Sequence, residues 1–296
     1  MIIYQYCPVC KSEDFENIFS AKDYTVSGEV FSVSECKNCT LRFTQNVPSS
    51  ESSGKYYASE TYISHSDTQT GVINKLYHCI RKKTLGDKKK LLNDSTGKQS
   101  GKMLDVGCGT GAFLHTMNTA GWECTGIEPD ETARNKAAEL YGLQPLPAEE
   151  LFSLPKNNYD AITLWHVLEH VHELDKYAVQ LRELLAPGGK LFIAVPNYTS
   201  YDAEYYGKYW AAYDVPRHLY HFSPESMIAM TEKHGLVIKN IKPMWFDSFY
   251  VSMLSEKNKN RTGNMLRAFY IGLKSNLRTL SKKEKCSSLI YIISKA

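Results

Sequence analysis

The feature that most constrains the fold is a strand–turn–helix pattern at residues 102–112. Met103, Leu104 and Val106 form a short apolar run typical of a buried strand, and three alternating glycines follow it. After the last of them, Gly111, apolar residues recur with helical spacing. A glycine turn lets a ligand approach the backbone, and the helix behind it offers unpaired N–H groups and the positive end of a dipole. The pattern therefore predicts a site for a nucleotide-like ligand.

The residues around this turn leave the identity of the ligand open. The spacing of Gly107, Gly109 and Ala112 also satisfies the dinucleotide-binding fingerprint, which accepts Gly or Ala at its last position. Glu128 ends the next apolar stretch, at the distance where a carboxylate can bind ribose hydroxyls. On their own, these residues predict a ribose-containing cofactor.

Four stretches in order resemble the class I S-adenosylmethionine-dependent methyltransferases. They are the glycine loop Leu104–Gly111, the acidic loop Gly126–Asp130, the segment Tyr159–His170 with its His-Val-Leu-Glu-His, and the Pro-Gly-Gly turn in Leu185–Leu191. The resemblance covers about residues 100–243. It implies that the cofactor is S-adenosylmethionine and that the reaction is methyl transfer.

The resemblance also implies which residues hold the cofactor. Asp105 and the backbone of the glycine loop would bind its methionine end, and Glu128 would bind both ribose hydroxyls. Ala148 and Glu149 match the adenine loop, with Pro147 where the family often has Asp. The full set of candidate cofactor-binding residues is Asp105, Gly107, Cys108, Gly109, Gly111, Glu128, Pro129, Ala148, Glu149 and His166.

Strand and helix patterns alternate from residue 102 onward, which predicts an α/β fold with a mostly parallel sheet and helices on both faces. The resemblance implies a Rossmann-like methyltransferase sheet whose last strand is antiparallel, and Leu289–Ile293 is the late candidate for that strand. Strands are predicted near residues 102–106, 123–127, 143–146, 160–165, 190–195 and 236–242. Helices are predicted over 111–120, 131–141, 173–186 and 224–234.

Residues 1–43 contain two Cys-x-x-Cys pairs, formed by Cys7, Cys10, Cys36 and Cys39. Two such pairs can complete a tetrahedral Zn²⁺ shell, so we expect a structural zinc ribbon with a hairpin between the pairs. The alternatives are incidental thiols or redox pairs. The segment has four Lys and Arg against six Asp and Glu, a net charge of −2. A nucleic-acid-binding module should be basic, so we expect this one to contact protein instead.

The segment 197–222 is predicted to form an aromatic lid over the carboxyl ends of the strands, where α/β folds bind ligands. Its aromatic side chains suit a planar or sugar-like acceptor, although they could equally be core. Arg217 suits a carboxylate or phosphate. The candidate catalytic residues are His218, His221 and Tyr213, and either histidine could be the general base.

The remaining chain divides into a connector with N-terminal helices at 44–101 and a methyltransferase domain at 102–296 with a helical insertion at 244–288. Residues 256–296 hold ten Lys and Arg against two Glu, a net charge of +8. This insertion is predicted to dock on protein through an apolar helix face, with peripheral contact to an anionic membrane as the alternative. No stretch is apolar for long enough to span a membrane, and cysteines without a paired pattern favour the cytoplasm.

The sequence therefore predicts a methyltransferase that acts on a small-molecule or sugar-type acceptor, with a hydroxyl as the first choice. One alternative is an RNA methyltransferase that docks its substrate on the zinc ribbon. A second is a non-catalytic cofactor-binding or scaffold protein, and a third is a nicotinamide-dependent enzyme.

Overall fold

The computed structural model describes residues 1–57 and 72–296, and side chains outside residues 58–81. The chain divides into two compact units. Unit 1 comprises Met1–Ile63, His166–Tyr177 and Ala194–Tyr291, and unit 2 comprises Ser64–Trp165, Ala178–Ile193 and Ile292–Ala296. The four-cysteine segment and the predicted lid thus fall in the same unit, whereas part of the predicted connector 44–101 lies outside the described residues.

The described elements follow the predicted alternation from residue 102 onward. The strands are β1 Phe15–Lys22, β2 Val30–Cys36, β3 Arg42–Thr44, β4 Lys102–Val106, β5 Glu123–Ile127, β6 Tyr159–Trp165, β7 Leu185–Pro196, β8 Tyr220–His221, β9 Leu236–Pro243 and β10 Ser288–Lys295. The α-helices are α1 Val72–Thr96, α2 Ala112–Thr119, α3 Glu131–Tyr141, α4 Leu174–Leu184, α5 Tyr201–Tyr206, α6 Pro224–Lys233, α7 Asp247–Asn260 and α8 Met265–Ser281. Among the described helices, none is long and apolar enough to cross a bilayer.

Unit 2 contains β5, β4, β6, β7 up to Ile193 and β10 from Ile292, which neighbour one another in that order. Strand β4 pairs in parallel with β5 on one side and with β6 on the other. The predicted strand at 143–146 is reduced to a single bridge between Ile127 and Leu146. A core of large apolar side chains, including Met103, Phe113 and Trp122, packs among these elements.

In unit 1, backbone hydrogen bonds establish the direction of β10. The N–H of Asn197, just after β7, donates to Ser287 O, and the N–H of Met244, just after β9, donates to Ser288 O. The ends of β7 and β9 therefore lie at the start of β10, so β10 is antiparallel to both strands. The predicted fold class, a mostly parallel sheet with an antiparallel last strand, is confirmed.

Unit 1 also contains an antiparallel sheet in the order β1-β2-β3-β8. Strands β1 and β2 form the predicted hairpin, and the Asp23 carboxylate accepts hydrogen bonds from the N–H groups of Thr25, Val26 and Ser27 in its turn. The last strand of this sheet is contributed by distant sequence, because β8 pairs with β3. This pairing joins the cysteine segment to the predicted lid within one unit.

Most aromatic side chains of the predicted lid form the core of unit 1. Tyr206, Trp210 and Tyr213 are each about 2 % exposed and pack with Phe31 and Val33 of the hairpin. Of the two interpretations of these aromatic side chains, core therefore describes them better than a surface on which an acceptor stacks. Tyr205 is an exception, with 38 % of its surface exposed.

The helical insertion packs through the opposite face from the one predicted. Helix α8 buries small or polar residues, Ala268, Gly272, Ser275 and Thr279, together with Ile271. A Cβ at Gly272 would lie 2.8 Å from Phe249 Cδ1, so only glycine allows the backbone of α8 to approach α7 this closely. The predicted docking face is exposed instead: Leu266, Phe269, Tyr270, Leu273 and Leu277 all face solvent. The described residues leave most of this face uncovered, and its docking on another protein stays a prediction.

Candidate functional site

The glycine loop of unit 2 has the backbone geometry that the sequence predicts. Gly107, Gly109 and Gly111 have φ values of 72°, 54° and 80°, in the left-handed region that favours glycine. The N–H groups of Gly107 and Cys108 both donate to Ile127 O of β5, at 2.7 and 3.1 Å. Because α2 begins directly after Gly111, the loop lies at a helix N-terminus.

The carboxylate of Glu128 closes this loop. Its Oε2 accepts from the N–H of Gly109 at 2.7 Å, and its Oε1 accepts from the N–H of Asp130 at 3.0 Å. The residue is only 7 % exposed, and burial raises the pKa of the carboxyl group. A carboxylate has about four acceptor positions, so the two that remain can bind a pair of vicinal hydroxyls. This geometry fits the ribose of S-adenosylmethionine.

Asp105 lies inside the parallel sheet, at the end of β4 that precedes the loop. It is 1 % exposed, and its Oδ1 accepts a hydrogen bond from Thr163 Oγ1 at 2.6 Å. Burial raises the pKa of this carboxyl group to about 6, against the opposing effects of Thr163 and Lys88. An ammonium group, such as that of a methionine moiety, would stabilise the charged form.

The other cofactor candidates in unit 2 follow the same strand ends. Ala148 is half-buried and begins a short 3₁₀ helix, whereas Glu149 and Pro129 are exposed. The thiol of Cys108 is buried, and this burial raises its pKa. The segment before Ala148 lies against the end of β5, because Glu128 N–H donates to Leu146 O and Leu146 N–H donates to Gly126 O.

The four cysteines of the N-terminal segment lie together in unit 1. The Sγ atoms of Cys7 and Cys39 are 3.5 Å apart, as are those of Cys10 and Cys36, and all four lie within 4.8 Å of one another. Zinc–thiolate bonds of about 2.3 Å place neighbouring sulfurs about 3.8 Å apart in a tetrahedron, so the cluster fits one Zn²⁺. None of the four forms a disulfide.

The two cysteine pairs also share one backbone turn. In the first, Lys11 N–H donates to Cys7 O and Cys7 N–H donates to Ser12 O. In the second, Thr40 N–H donates to Cys36 O and Cys36 N–H donates to Leu41 O. Lys11 and Thr40 both have positive φ values, 62° and 59°. The same turn, formed twice, aims both pairs at one point.

His166, a cofactor candidate, lies in unit 1 directly after β6, with a positive φ of 58°. Its Nε2 is 3.0 Å from Asp247 Oδ2, and its Nδ1 is 3.4 Å from Glu169 Oε1. Burial alone would lower the pKa of this imidazole, but the two carboxylates raise it to about 10. In the described structure, both ring nitrogens of His166 therefore face protein carboxylates.

The three catalytic candidates differ in what surrounds them. His221 lies in β8 beside Thr44 Oγ1, and burial holds the pKa of its ring well below the usual range. The hydroxyl of Tyr213 accepts from Arg42 Nη1 at 2.6 Å inside the core of unit 1. His218 Nδ1 lies 2.8 Å from Ala212 O, while its Nε2 has no hydrogen-bond partner among the described residues.

Arg217 is committed to ion pairs inside unit 1. Its guanidinium donates to Asp23 at 2.9 Å, to both carboxylate oxygens of Asp214, and to Tyr56 O, and its side chain is 1 % exposed. The expectation that Arg217 binds a carboxylate or phosphate of a ligand is therefore wrong, since Asp23 from the distant hairpin takes that place.

Sequence reasoning missed a group formed by Glu169, His170 and His218, whose ligand atoms all lie within 4.8 Å of one another. His170 Nδ1 lies 3.1 Å from Arg217 O, and burial lowers the pKa of its ring to about 4. The available signal was the pair of acid and histidine in the His-Val-Leu-Glu-His segment. Nothing in the sequence indicated that His218, on another segment, would join them.

The model of one family, described as a methyltransferase domain, matches residues 77–240, more than half of the chain. Among curated proteins, the ubiquinone biosynthesis O-methyltransferase of Aeromonas salmonicida is 30% identical over 164 residues, which are 51% of this chain and 69% of that protein. The protein of the same name from Bordetella bronchiseptica is 35% identical over 115 residues, 36% of this chain and 47% of that protein.

This chain spans about half the length of the first curated relatives that it matches. Among solved structures, an S-adenosylmethionine-dependent methyltransferase from Archaeoglobus fulgidus is 20% identical, with a TM-score of 0.48, over 74% of this chain and 99% of that chain.

Proposed function

This chain belongs to the class I S-adenosylmethionine-dependent methyltransferases, and from that premise we propose that it transfers a methyl group to a hydroxyl of a small-molecule acceptor. The observation that carries the proposal is the Glu128 carboxylate closing the glycine loop at Gly109, with two acceptor positions left for ribose hydroxyls. The names of the curated relatives describe O-methylation, which supports oxygen as the acceptor atom.

The bound cofactor supplies a methyl group on a positively charged sulfur, and the protein supplies position and electrostatics. Glu128 would hold the ribose, the glycine loop would let the methionine end approach its backbone, and Asp105 would offer its carboxylate to the ammonium group there. With the cofactor bound, the acceptor oxygen would form its bond to the methyl carbon as the carbon–sulfur electron pair leaves with sulfur, and the hydroxyl proton would pass to a base. Alignment of these atoms lowers the barrier by several kcal/mol.

His218 is the best supported of the three catalytic candidates. A carbonyl oxygen cannot donate, so the Nδ1 that faces Ala212 O carries a proton and the neutral ring has its lone pair on Nε2. In contrast, His221 Nε2 lies at hydrogen-bond distance from Thr44 Oγ1, and the hydroxyl of Tyr213 accepts a hydrogen bond from Arg42. Of the three candidates, we therefore propose His218 as the residue that assists removal of the proton from the acceptor hydroxyl.

The alternatives have less support. The family match argues against a nicotinamide-dependent enzyme. The cysteine segment has a net charge of −2, which opposes RNA docking, and no observation on the described residues favours a purely structural role. The cytoplasmic location stays a prediction.

The ribose assignment is tested by calorimetric titration with S-adenosylmethionine. Glu128→Ala removes two charge-assisted hydrogen bonds, each worth about 1.5–3 kcal/mol, so we expect affinity to fall by at least about 100-fold. Glu123→Ala, at the start of β5 and with an exposed side chain, should bind like the wild type. Equal affinities for wild type and Glu128→Ala would refute the assignment.

The acceptor class is tested with methyl-labelled S-adenosylmethionine and fractionated cell extract. We expect label to enter the small-molecule fraction in a form resistant to ribonuclease, and His218→Ala to abolish its incorporation. Label that enters RNA would replace the small-molecule proposal with the RNA alternative, and label in neither fraction would support the non-catalytic one.

A further observation favours peripheral contact with an anionic lipid surface. Leu266 of α8 is 86 % exposed and Phe269 is 61 % exposed, and exposed apolar side chains continue along the helix to Leu280. The region 256–296 has a net charge of +8, which complements anionic headgroups. We propose that this face lies on such a surface.

Vesicle co-sedimentation tests the lipid proposal. The protein should pellet with phosphatidylglycerol vesicles and remain in solution with phosphatidylcholine vesicles, and the double variant Leu266→Ser, Phe269→Ser should lose most of that binding. The matched control Ile228→Ser removes an exposed apolar residue of α6 and should bind normally. Equal binding by the two variants, or self-association through this face in solution, would count against a lipid surface.

A further inference from the structure

Unit 1 contains a second group of metal-ligand side chains, separate from the four cysteines. Glu169, His170 and His218 bring one carboxylate and two imidazoles within 4.8 Å of one another. Glu169 is completely buried and His218 is 9 % exposed. Since Glu169 and His170 lie in the short 3₁₀ helix after β6 and His218 lies far along the chain, only the fold brings the three together.

The backbone orients both imidazoles in the way that metal-binding histidines require. His218 Nδ1 lies 2.8 Å from Ala212 O, and His170 Nδ1 lies 3.1 Å from Arg217 O. Because a carbonyl oxygen can only accept, Nδ1 carries the proton in each ring and Nε2 carries the lone pair. The Tyr57 hydroxyl, also 3.1 Å from His170 Nδ1, therefore accepts from the same N–H. Metal-binding histidines commonly donate their second ring N–H to a backbone carbonyl, which holds the ring and its tautomer in place.

The buried carboxylate of Glu169 has an ion pair with His166 but no hydrogen bond among the described residues. In that pair, His166 Nδ1 lies 3.4 Å from Oε1. Buried carboxylates are normally hydrogen-bonded, paired or bound to metal, because losing water without replacement is costly. A cation held between Glu169 and the two imidazoles would satisfy this group.

We propose that Glu169, His170 and His218 bind one divalent cation of the Zn²⁺, Mn²⁺ or Fe²⁺ class. Imidazole nitrogens favour these ions, whereas Mg²⁺ prefers a shell made of oxygen. Three protein ligands leave at least one coordination position open, which is typical of sites that bind a water molecule or a substrate.

One consequence rests on the proposed function. A hydroxyl that occupies the open position has its pKa lowered by the cation and so loses its proton more readily. His218 then acts on the acceptor through the cation, and the hydroxyl proton leaves to water. The binding site stands whether or not the acceptor uses it.

Metal binding to the full-length protein tests the site without measuring methyl transfer. The protein is purified with zinc on its cysteines, freed of weakly bound metal with a mild chelator, and titrated with Mn²⁺ by calorimetry. We expect one Mn²⁺ per chain. Co²⁺ in the same preparation should produce weak absorption bands without the intense thiolate-to-metal band that binding to cysteine would produce.

Glu169→Gln keeps the shape of the side chain and removes its charge. It should weaken Mn²⁺ binding by more than about 100-fold, because changes to groups that merely support metal ligands already cost about 10–100-fold. Its zinc content should be unchanged, which shows that the variant is folded. His172→Gln changes a neighbouring histidine that bonds Pro48 O instead, and should bind Mn²⁺ like the wild type.

Two outcomes would overturn the proposal: wild-type protein that takes up no second metal at millimolar Mn²⁺, or a Glu169→Gln variant that still binds it as the wild type does. The first outcome is measured on the wild type, so it tests the proposal even if a variant fails to fold. Metal binding without methyl transfer would leave the site standing and reject the proposed function. Methyl transfer by protein that binds no second metal would support the proposed function and reject the metal site.

Discussion

At the scale of single residues, Arg217 shows how burial decides the role of a charged side chain. Its guanidinium could have bound a ligand anion, but it contacts Asp23 and Asp214, and its side chain is 1 % exposed. Asp23 in turn accepts N–H groups of the hairpin turn, and Arg217 and those donors together lower the pKa of its carboxyl group to about 2 despite burial. The pair thus joins the hairpin to the His218 segment.

Replacing Arg217 by Met leaves two carboxylates without their cation. Breaking a buried ion pair in this way costs about 3–5 kcal/mol, and we expect a loss of that size in the free energy of unfolding measured with urea. Lys11→Met removes the exposed pair with Asp175 and should cost less than about 1 kcal/mol. Similar small losses in both variants would contradict a structural role for Arg217.

Asp105 makes the stability of the cofactor-free protein depend on pH. Burial raises the pKa of its carboxyl group to about 6 in the folded state, above its unfolded value of about 3.9, so the folded state holds the proton more tightly. The protonated carboxyl group of Asp105 therefore contributes its full share to the free energy of unfolding below pH 4, and this share is lost as the pH rises through about 6.

Asp105→Asn should therefore match the wild type in stability near pH 4 and exceed it by about 2–3 kcal/mol at pH 7, as measured by denaturation at each pH. Asp87→Asn, a change at an exposed carboxylate, should show no such trend. A pH-independent difference between Asp105→Asn and the wild type would show that Asp105 is ionised in the folded protein at all of these pH values.

At the scale of elements, helix α8 shows that the more hydrophobic face of a helix need not be the one that packs. Its buried face carries Gly272 against Phe249 and Ser275, whose hydroxyl donates to Asp202 Oδ1 at 2.7 Å. Asp202 also accepts from Trp210 Nε1 and Ser287 Oγ, so a satisfied polar network holds this face in place. Close approach and hydrogen bonding thus outweigh the burial of the leucines.

Gly272→Ala tests this packing. The added Cβ would lie 2.8 Å from Phe249 Cδ1 and 3.0 Å from its Cα, so α7 and α8 must separate. We expect a loss of about 1–3 kcal/mol in thermal unfolding, although alanine favours the helix itself by about 1 kcal/mol. Leu277→Ala changes an exposed residue of the same helix, and its effect should stay within about 0.5 kcal/mol. A more stable Gly272→Ala variant would contradict the packing.

At the scale of the whole molecule, the cysteine segment is integrated into unit 1. Strand β3 pairs with β2 and with β8, so the sheet that begins in the four-cysteine segment ends beside His218. The predicted boundary at residue 43 is a boundary in sequence composition, whereas the contacts continue across it.

Loss of zinc should therefore loosen more than the N-terminal residues. In hydrogen-exchange measurements, Cys36→Ser or a strong chelator should remove protection from β2, β3 and β8 together, because metal ligation supplies much of the folding energy of such a small module. The amides of β4 and β6 in unit 2 serve as the internal reference. Loss of protection that stops at residue 44 would instead support an independent zinc ribbon.

The sequence by itself determined the features that depend on neighbouring residues. The glycine loop, Glu128 after β5 and the two cysteine pairs were predicted, because backbone sterics and short spacings produce them. The antiparallel direction of the strand near 289–293 was implied by the family resemblance. The grouping of the thiols within each pair also follows from short spacing, whereas the pairing of β1 with β2 brings the two pairs together.

Only the tertiary structure decided which distant groups meet. It placed Asp23 on Arg217, buried the small face of α8 and brought His218 to Glu169 and His170. These outcomes depend on shape and on competition among partners far apart in the chain. Charge and hydrophobicity state what a side chain can bind, whereas the partner it finds depends on which groups the fold leaves within reach.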